Sequence, residues 1–111
     1  MKVTVNDTYT ILEDEHDDVI DFAAYLERVV PDKYQDLNLV IDLLKYDSLS
    51  LEQLMAFSKL SNEQRESKKS YVFVNTGIDI DLIPSEMSLV PTLLEAEDII
   101  AMEEIERDLG F

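Results

Sequence analysis

Two serines stand where a predicted strand gives way to a predicted helix. In "YDSLSLEQL", Tyr46 to Leu54, Ser48 and Ser50 follow an apolar run and precede an amphipathic one. A phosphate at a helix start is favoured by the helix dipole and adds about two negative charges to the surface. Ser50 and Gln53 also have the spacing of a capping box, in which the serine only caps the helix. A phosphorylation switch and a plain N-cap are therefore both open, with Glu52 a permanent carboxylate beside them.

Acidic side chains surround the single histidine. His16 has neighbouring carboxylates that could bind a metal ion with it, namely Glu13, Asp14, Asp17 and Asp18. Adjacent acids in a loop mostly face water, so we favour a solvated helix start. Asp79 and Asp81 lack the glycine and the distal glutamate of a calcium loop, and we interpret them as turn residues. We expect no metal ion and no cofactor.

The residue types needed for catalysis are largely missing. The chain has no cysteine, and its two glycines cannot form a phosphate loop. No serine has a plausible histidine base, because His16 is far in sequence from the strand-to-helix junction. Asp42 is the best-placed single acid, since α/β sheets bind ligands at the carboxyl ends of strands, but a turn or cap hydrogen bond is its simpler role. We expect no enzyme activity.

Charge restricts the partners. The 111 residues carry 25 acidic and 9 basic side chains, for a formal net charge of −16. Such a chain repels nucleic-acid phosphates and anionic membranes, so a charged partner should be a protein with a basic surface. An acidic, bacterial-type surface kept soluble by repulsion is the simpler explanation, and we favour it for most of the charge. The sequence shows no apolar membrane span or signal-peptide core, and a cytoplasmic location is expected. The oligomeric state is left open.

Hydrophobic patterning predicts the elements that position these residues. Runs on either side of Asn6-Asp7 predict a hairpin, and Val19 to Val30 predict a helix that Pro31 ends. The runs Asn38 to Leu43 and Ser70 to Val74 predict central strands joined by one helix from Ser50 to Lys69. A loop with one helical turn leads to an edge strand, Ser88 to Val90, and to a final helix capped by Thr92. The fold class is α/β, with an N-terminal β-hairpin and a mixed sheet covered by amphipathic helices, in one domain over residues 1–111.

The order of these motifs resembles the STAS domain, the fold of anti-sigma-factor antagonists and of the cytoplasmic tails of sulfate transporters. "VIDL" supplies a strand ending in Asp42, and "SLEQL" occupies the helix opening. "KKSYVFVN" matches a basic helix end and a strand finishing in Asn75, and "LVPTLLEAEDII" matches the last edge strand and helix. The resemblance covers about two-thirds of the chain and implies a regulatory protein-interaction module.

The opening motif departs from the family pattern Asp-Ser-Ser-Gly-Leu. Counted from Asp42, Ser50 falls on the family aspartate and Leu51 on the serine that is usually phosphorylated. The resemblance therefore implies an anti-sigma-factor-antagonist-like module with a degenerate phosphorylation motif, in which Ser48 or Ser50 is the remaining candidate. The alternative is a STAS module that binds a small ligand or nucleotide, although no basic cradle is visible in the sequence. Short acidic chains similar to this one carry the name ribonuclease Z, but one histidine cannot build that enzyme's two-zinc site.

The last helix is the second candidate interaction surface. From Glu95 to Asp108 it carries seven acids and a single base, Arg107. We expect one apolar stripe, including Ala96, Ile100, Met102 and Ile105, to dock on the sheet. The acids Glu103, Glu104 and Glu106 should then form a negative outer face, which either serves only solubility or meets a basic protein partner.

Overall fold

A five-stranded mixed sheet forms the centre of the protein, as seen in a computed structural model that describes residues 1–84 and 87–110. The strands follow one another across the sheet in chain order: β1 (Lys2–Val5), β2 (Thr10–Glu13), β3 (Leu39–Asp42), β4 (Tyr71–Val74) and β5 (Ser88–Val90). β1 pairs antiparallel with β2, and each later pair is parallel. The predicted α/β class, with its N-terminal hairpin, is confirmed, and β3 and β4 are adjacent parallel strands as predicted.

Helices cover both faces of the sheet: α1 (Val19–Val29), α2 (Leu51–Met55), α3 (Ser58–Glu66) and α4 (Leu93–Asp108). The larger core lies beneath α1, α2 and α3, where Leu39 and Ile41 of β3 are fully buried. The smaller core lies on the opposite face, where Ala96 and Ile100 of α4 pack on valines of β3, β4 and β5. β3 is thus buried on both faces, which explains its nearly continuous apolar sequence.

The hairpin turn lies one residue later than predicted. The Asn6 N–H donates to the Tyr9 carbonyl at 2.9 Å, and Val5 pairs with Thr10. Asp7 and Thr8 are therefore the two residues of the turn, rather than Asn6 and Asp7. Moving the turn by one residue shifts the pairing by two, so the side chains keep their faces but change cross-strand partners: Val3 pairs with Leu12 instead of Thr10.

Helical backbone continues past Pro31. α1 ends at Val29, close to the predicted end, and Asp18 caps its start by accepting from the Asp21 N–H at 3.0 Å. A π-helical turn then runs over Val30–Tyr34. Proline has no N–H and cannot extend the α-helical ladder, and here the chain widens into a different helical turn instead of leaving the helix.

The helix predicted from Ser50 to Lys69 is two helices. Near the end of α2 the hydrogen bonds tighten: the Ala56 N–H donates to Gln53 at 3.2 Å and the Phe57 N–H to Leu54 at 3.0 Å. This break turns Phe57 fully into the core, where its ring lies 5.5 Å from that of Phe73. Tertiary packing determines the break, since the sequence there contains neither glycine nor proline.

The segment between β4 and β5 contains one 3₁₀ turn, Ile80–Leu82, as predicted. Ser85 and Glu86, which the prediction also placed in this loop, lie outside the described residues. β5 is an edge strand, and α4 begins at Leu93 after its N-cap Thr92, whose hydroxyl accepts from the Glu95 N–H at 3.1 Å. Both predictions are confirmed.

Candidate functional site

The predicted switch lies between β3 and α2, where its side chains hold local structure. The Asp42 carboxylate accepts from the Leu44 N–H at 3.0 Å, which is a turn hydrogen bond. The Ser50 hydroxyl accepts from the Gln53 N–H at 3.1 Å, and the Gln53 side chain accepts from the Ser50 N–H at 2.9 Å. This is the capping box indicated by the spacing. Ser48 and Glu52 are exposed, so a kinase could reach this loop, and its phosphorylation stays a prediction.

Hydrogen bonds of the Asn75 side chain connect the loop between β3 and α2 to the end of β4. Its buried side-chain amide donates to the carbonyls of Leu43 at 2.7 Å and Tyr46 at 3.0 Å, and its oxygen accepts from the Gly77 N–H at 2.8 Å. A Cβ added at Gly77 would lie 2.6 Å from the Asp47 carbonyl oxygen, so only glycine fits there. The asparagine that contributes to the family resemblance therefore has a structural task at this edge.

Hydrogen bonds from Lys45 and Tyr46 hold the acidic loop around His16 against the loop that follows β3. The Tyr46 hydroxyl donates to the buried Asp14 carboxylate, and the Lys45 ammonium donates to the His16 carbonyl. Burial and, after it, the hydrogen bond to Asp14 raise the pKa of the Tyr46 hydroxyl well above its usual value. Within the described ranges no group of three or more His, Asp or Glu side chains is arranged to hold a metal ion. Asp79 accepts from the Asp81 N–H at 3.0 Å, the geometry of a turn.

At the opposite, amino-terminal edge of the sheet, α4 is joined to the starts of β3 and β4. The Asn38 amide donates to Glu104 at 2.7 Å, and the Ser70 hydroxyl donates to Glu103 at 2.5 Å. The Arg107 guanidinium donates to Glu104 at 2.8 Å, to Ser70 at 3.2 Å and to Asn38 at 3.3 Å. The hydrogen bond from Asn38 and, next, the one from Arg107 lower the pKa of the Glu104 carboxyl.

This network changes the predicted role of the acidic helix. Glu103 and Glu104 are half-buried at the edge of the sheet and do not form an outer negative face; of the predicted trio only Glu106 is exposed. Asn38 and Arg107 were not among the predicted site residues, although Arg107 is the lone base of an acidic helix. The sequence separation of 69 residues between them hides their contact.

The outward side of α4 is apolar. Ala96 and Ile100 face the sheet, whereas the apolar residues on the other side are exposed, namely Leu94, Ala101, Met102, Ile105 and Leu109. We call this set the outer face of α4. Met102 and Ile105 were predicted to dock on the sheet, and that prediction is wrong. Exposed carboxylates border the outer face, namely Glu95, Glu97, Glu106 and Asp108, and Asp98 lies within it, one helical turn from both Leu94 and Met102.

A cavity of about 440 Å³ opens beside the Arg107 network. Four basic side chains line it: Arg65, Lys68, Lys69 and Arg107. The expectation that the chain lacks a basic cradle is therefore incorrect. Three of these residues lie at the end of α3 and the fourth near the end of α4, so the sequence does not show them as one cluster.

Comparison with known proteins identifies no family for this chain. No protein-family model matches it, and no curated protein matches it significantly. None of the helices in residues 1–84 and 87–110 has the length and apolar composition needed to cross a membrane.

Proposed function

We propose that this chain is a non-catalytic, STAS-like protein-interaction module that binds a basic, amphipathic segment of another protein on the outer face of α4. The observation that carries the proposal is the outward exposure of Leu94, Met102, Ile105 and Leu109 along one side of a regular helix. Asp98 separates Leu94 from the rest, but Met102, Ile105 and Leu109 lie on successive turns with no carboxylate between them. Exposed apolar side chains grouped in this way, unlike scattered ones, are typical of interaction surfaces.

Charge selects the occupant. The carboxylates that border the outer face favour a segment whose apolar stripe is bordered by lysine or arginine, in the manner of a helix bound in a groove. A second copy of this chain would bring the same carboxylates and a net charge of −16 to the contact, so self-association is disfavoured. The partner is therefore a different, basic protein.

The resemblance to STAS domains is consistent with this role but is independent of the outer face. It rests on sequence motifs and on their order along an α/β sheet. In the proposal, phosphorylation at Ser48 or Ser50 would regulate partner binding by adding charge near the α2 start. The proposal also keeps the cytoplasmic location that is expected from the sequence.

Quantitative affinity purification from the native cell tests the docking face. Wild-type protein should retain one basic protein in near-stoichiometric amount, and Ile105→Ser should lose most of it. Ile105 is 59% exposed, so the substitution should leave folding nearly unchanged.

Leu82→Ser is the matched control, because Leu82 is 60% exposed but lies in the 3₁₀ turn before β5. It should retain the partner as the wild type does. Equal retention by both variants, or loss in both, would reject the outer face of α4 as the docking surface.

The non-catalytic part of the proposal has its own test. Purified protein supplied with zinc or manganese should leave precursor transfer RNA intact, since a two-metal hydrolytic site needs converging ligands that one histidine does not provide. Cleavage that copurifies with the protein and disappears in His16→Ala would overturn it.

A further inference from the structure

Basic side chains are concentrated in one place on this acidic protein. Four of the nine lysines and arginines line the cavity of about 440 Å³ at the amino-terminal edge of the sheet. A volume of this size falls in the range of small-molecule sites. The rest of the molecule repels anions, so any anion that binds must be held by local groups.

The end of α3 supplies three of these groups. Ser67 caps α3, and the chain then reverses: the Lys68 N–H donates to Arg65 at 3.0 Å and the Lys69 N–H to Gln64 at 3.1 Å. These two bonds define a Schellman motif, which closes a helix and redirects the chain. Arg65, Lys68 and Lys69 are thereby brought to one side of the cavity.

Lys68 occupies the motif position where glycine is usual. Its φ is +61°, and it is the sole non-glycine residue with positive φ in the described ranges. A side chain at this position is disfavoured by contact with its own backbone, which glycine avoids. Strained residues of this kind concentrate at functional sites. The lysine therefore provides a charge at a conformational cost.

Arg107 supplies the fourth cation and is held in place. Its guanidinium donates to Ser70, Asn38 and Glu104, which fixes one side of the fork next to the cavity. Among the described residues, Glu104 is the one carboxylate within 4.0 Å of any of the four bases. Ser70 and Ser88 also line the cavity.

Two carboxylates oppose this charge. Glu103 and Glu106 line the same cavity, and Glu103 accepts from the Ser70 hydroxyl. Glu104 pairs with Arg107 from the side, so four cations face three carboxylates, and the site keeps a positive balance of one in a chain whose overall charge is −16. The competing explanation is that the bases only complement the negative carboxyl ends of the α3 and α4 dipoles.

We propose that this cavity binds a compact, multivalent anion through phosphate or carboxylate oxygens. The guanidinium of Arg65 and the ammonium groups of Lys68 and Lys69 match the donors that such oxygens prefer. The cavity adjoins the outer face of α4 at Glu106, but the proposal does not depend on the interaction role.

Calorimetric titration of the full chain with pyrophosphate and, separately, with citrate tests the site. At moderate salt one of the two should bind saturably with a stoichiometry of one. Binding of pyrophosphate alone would indicate a phosphate ligand, and binding of citrate alone a carboxylate ligand. The double variant Lys68→Asn and Lys69→Gln removes two cations, and asparagine tolerates the positive φ. It should weaken binding by about tenfold or more.

The control removes the same charge elsewhere. Lys33→Gln with Lys59→Gln changes two exposed lysines that do not line the cavity, and it should alter the affinity by no more than about twofold, the effect of long-range charge alone. The absence of saturable binding for both anions at millimolar concentration would assign the bases to the helix ends. Equal weakening by the two double variants would also overturn the site.

Discussion

Ser50 is the residue at which a structural and a regulatory role can be separated. Its hydroxyl completes a reciprocal capping box with Gln53. Ser50→Ala should therefore lower the free energy of unfolding by about 0.5–2 kcal/mol, while Ser50→Asp should fold normally because aspartate also caps helices. Urea denaturation measures both variants.

The intact mass of the protein isolated from its native cell shows whether the loop that carries Ser48 and Ser50 is phosphorylated. If Ser50 acts only as a cap, no sizeable phosphorylated fraction should appear. A phosphate mapped to Ser48 or Ser50 in much of the protein would refute the cap-only interpretation. Changed partner binding by Ser50→Asp at wild-type stability would do the same.

Substitution of Lys68 tests whether its strained backbone conformation is kept for anion binding. Lys68→Gly relieves the positive φ at the end of α3 and should raise the free energy of unfolding by about 0.5–1 kcal/mol. The same variant should bind the anion more weakly. Thermal or urea unfolding measures the first effect, and a loss of stability would show that the lysine side chain makes contacts worth more than the strain.

Glu104 makes stability depend on pH. Its pKa is lowered from 4.5 in the folded state by Asn38 and Arg107, so its contribution is present above the unfolded pKa. That contribution is lost as the pH falls from about 4.5 through the lower folded value. Glu104→Gln should therefore destabilise the protein at pH 7 and narrow its difference from the wild type at pH 3. Melting temperatures across this range check the sign, and a constant difference would contradict it.

Residue spacing predicts local chemistry better than it predicts distant contacts. The capping box and the Thr92 cap connect neighbours in sequence and were predictable from their spacing. The contacts of Arg107 with Asn38 and Ser70 join residues 69 and 37 positions apart, and no local pattern marks them. The basic cavity went unpredicted for the same reason.

At the scale of the elements, β3 contributes buried side chains to the cores on both faces of the sheet. Ile41 is fully buried between its neighbours in β2 and β4, so Ile41→Ala should cost about 2–5 kcal/mol of unfolding free energy. Val5→Ala in β1 is the control, because Val5 is exposed and should cost less than about 0.5 kcal/mol. Similar losses for the two variants, measured by urea denaturation, would contradict this assignment of the core.

Strand and helix positions follow from hydrophobic periodicity, while breaks and orientations do not. The continuous apolar runs predicted β3 and β4 correctly. The break after α2 depends on the packing of Phe57 against Phe73, which lies on another element. In α4 the predicted stripe combined Ala96 and Ile100, which face the sheet, with Met102 and Ile105, which do not. Towards the end of α4 the contact with the sheet is made by Glu103, Glu104 and Arg107 through hydrogen bonds, which no apolar pattern reveals.

At the scale of the whole molecule, charge is distributed unevenly. The protein has a formal net charge of −16, and some of its carboxylates flank the exposed apolar residues of α4. Four of its bases lie together at the amino-terminal edge of the sheet. The negative field should speed encounter with a basic partner, and salt should slow it. The exposed apolar side chains should then determine how long the complex lasts.

Site-specific photo-crosslinking in the native cell tests the central claim most directly. A photoreactive residue at position 105 lies in the outer face of α4, and one at position 82 provides a control of matched exposure. The proposed function predicts one discrete product from position 105, containing a basic protein, that is absent from position 82. No discrete product from position 105, or the same product from both positions, would contradict the assignment of α4 as the docking surface.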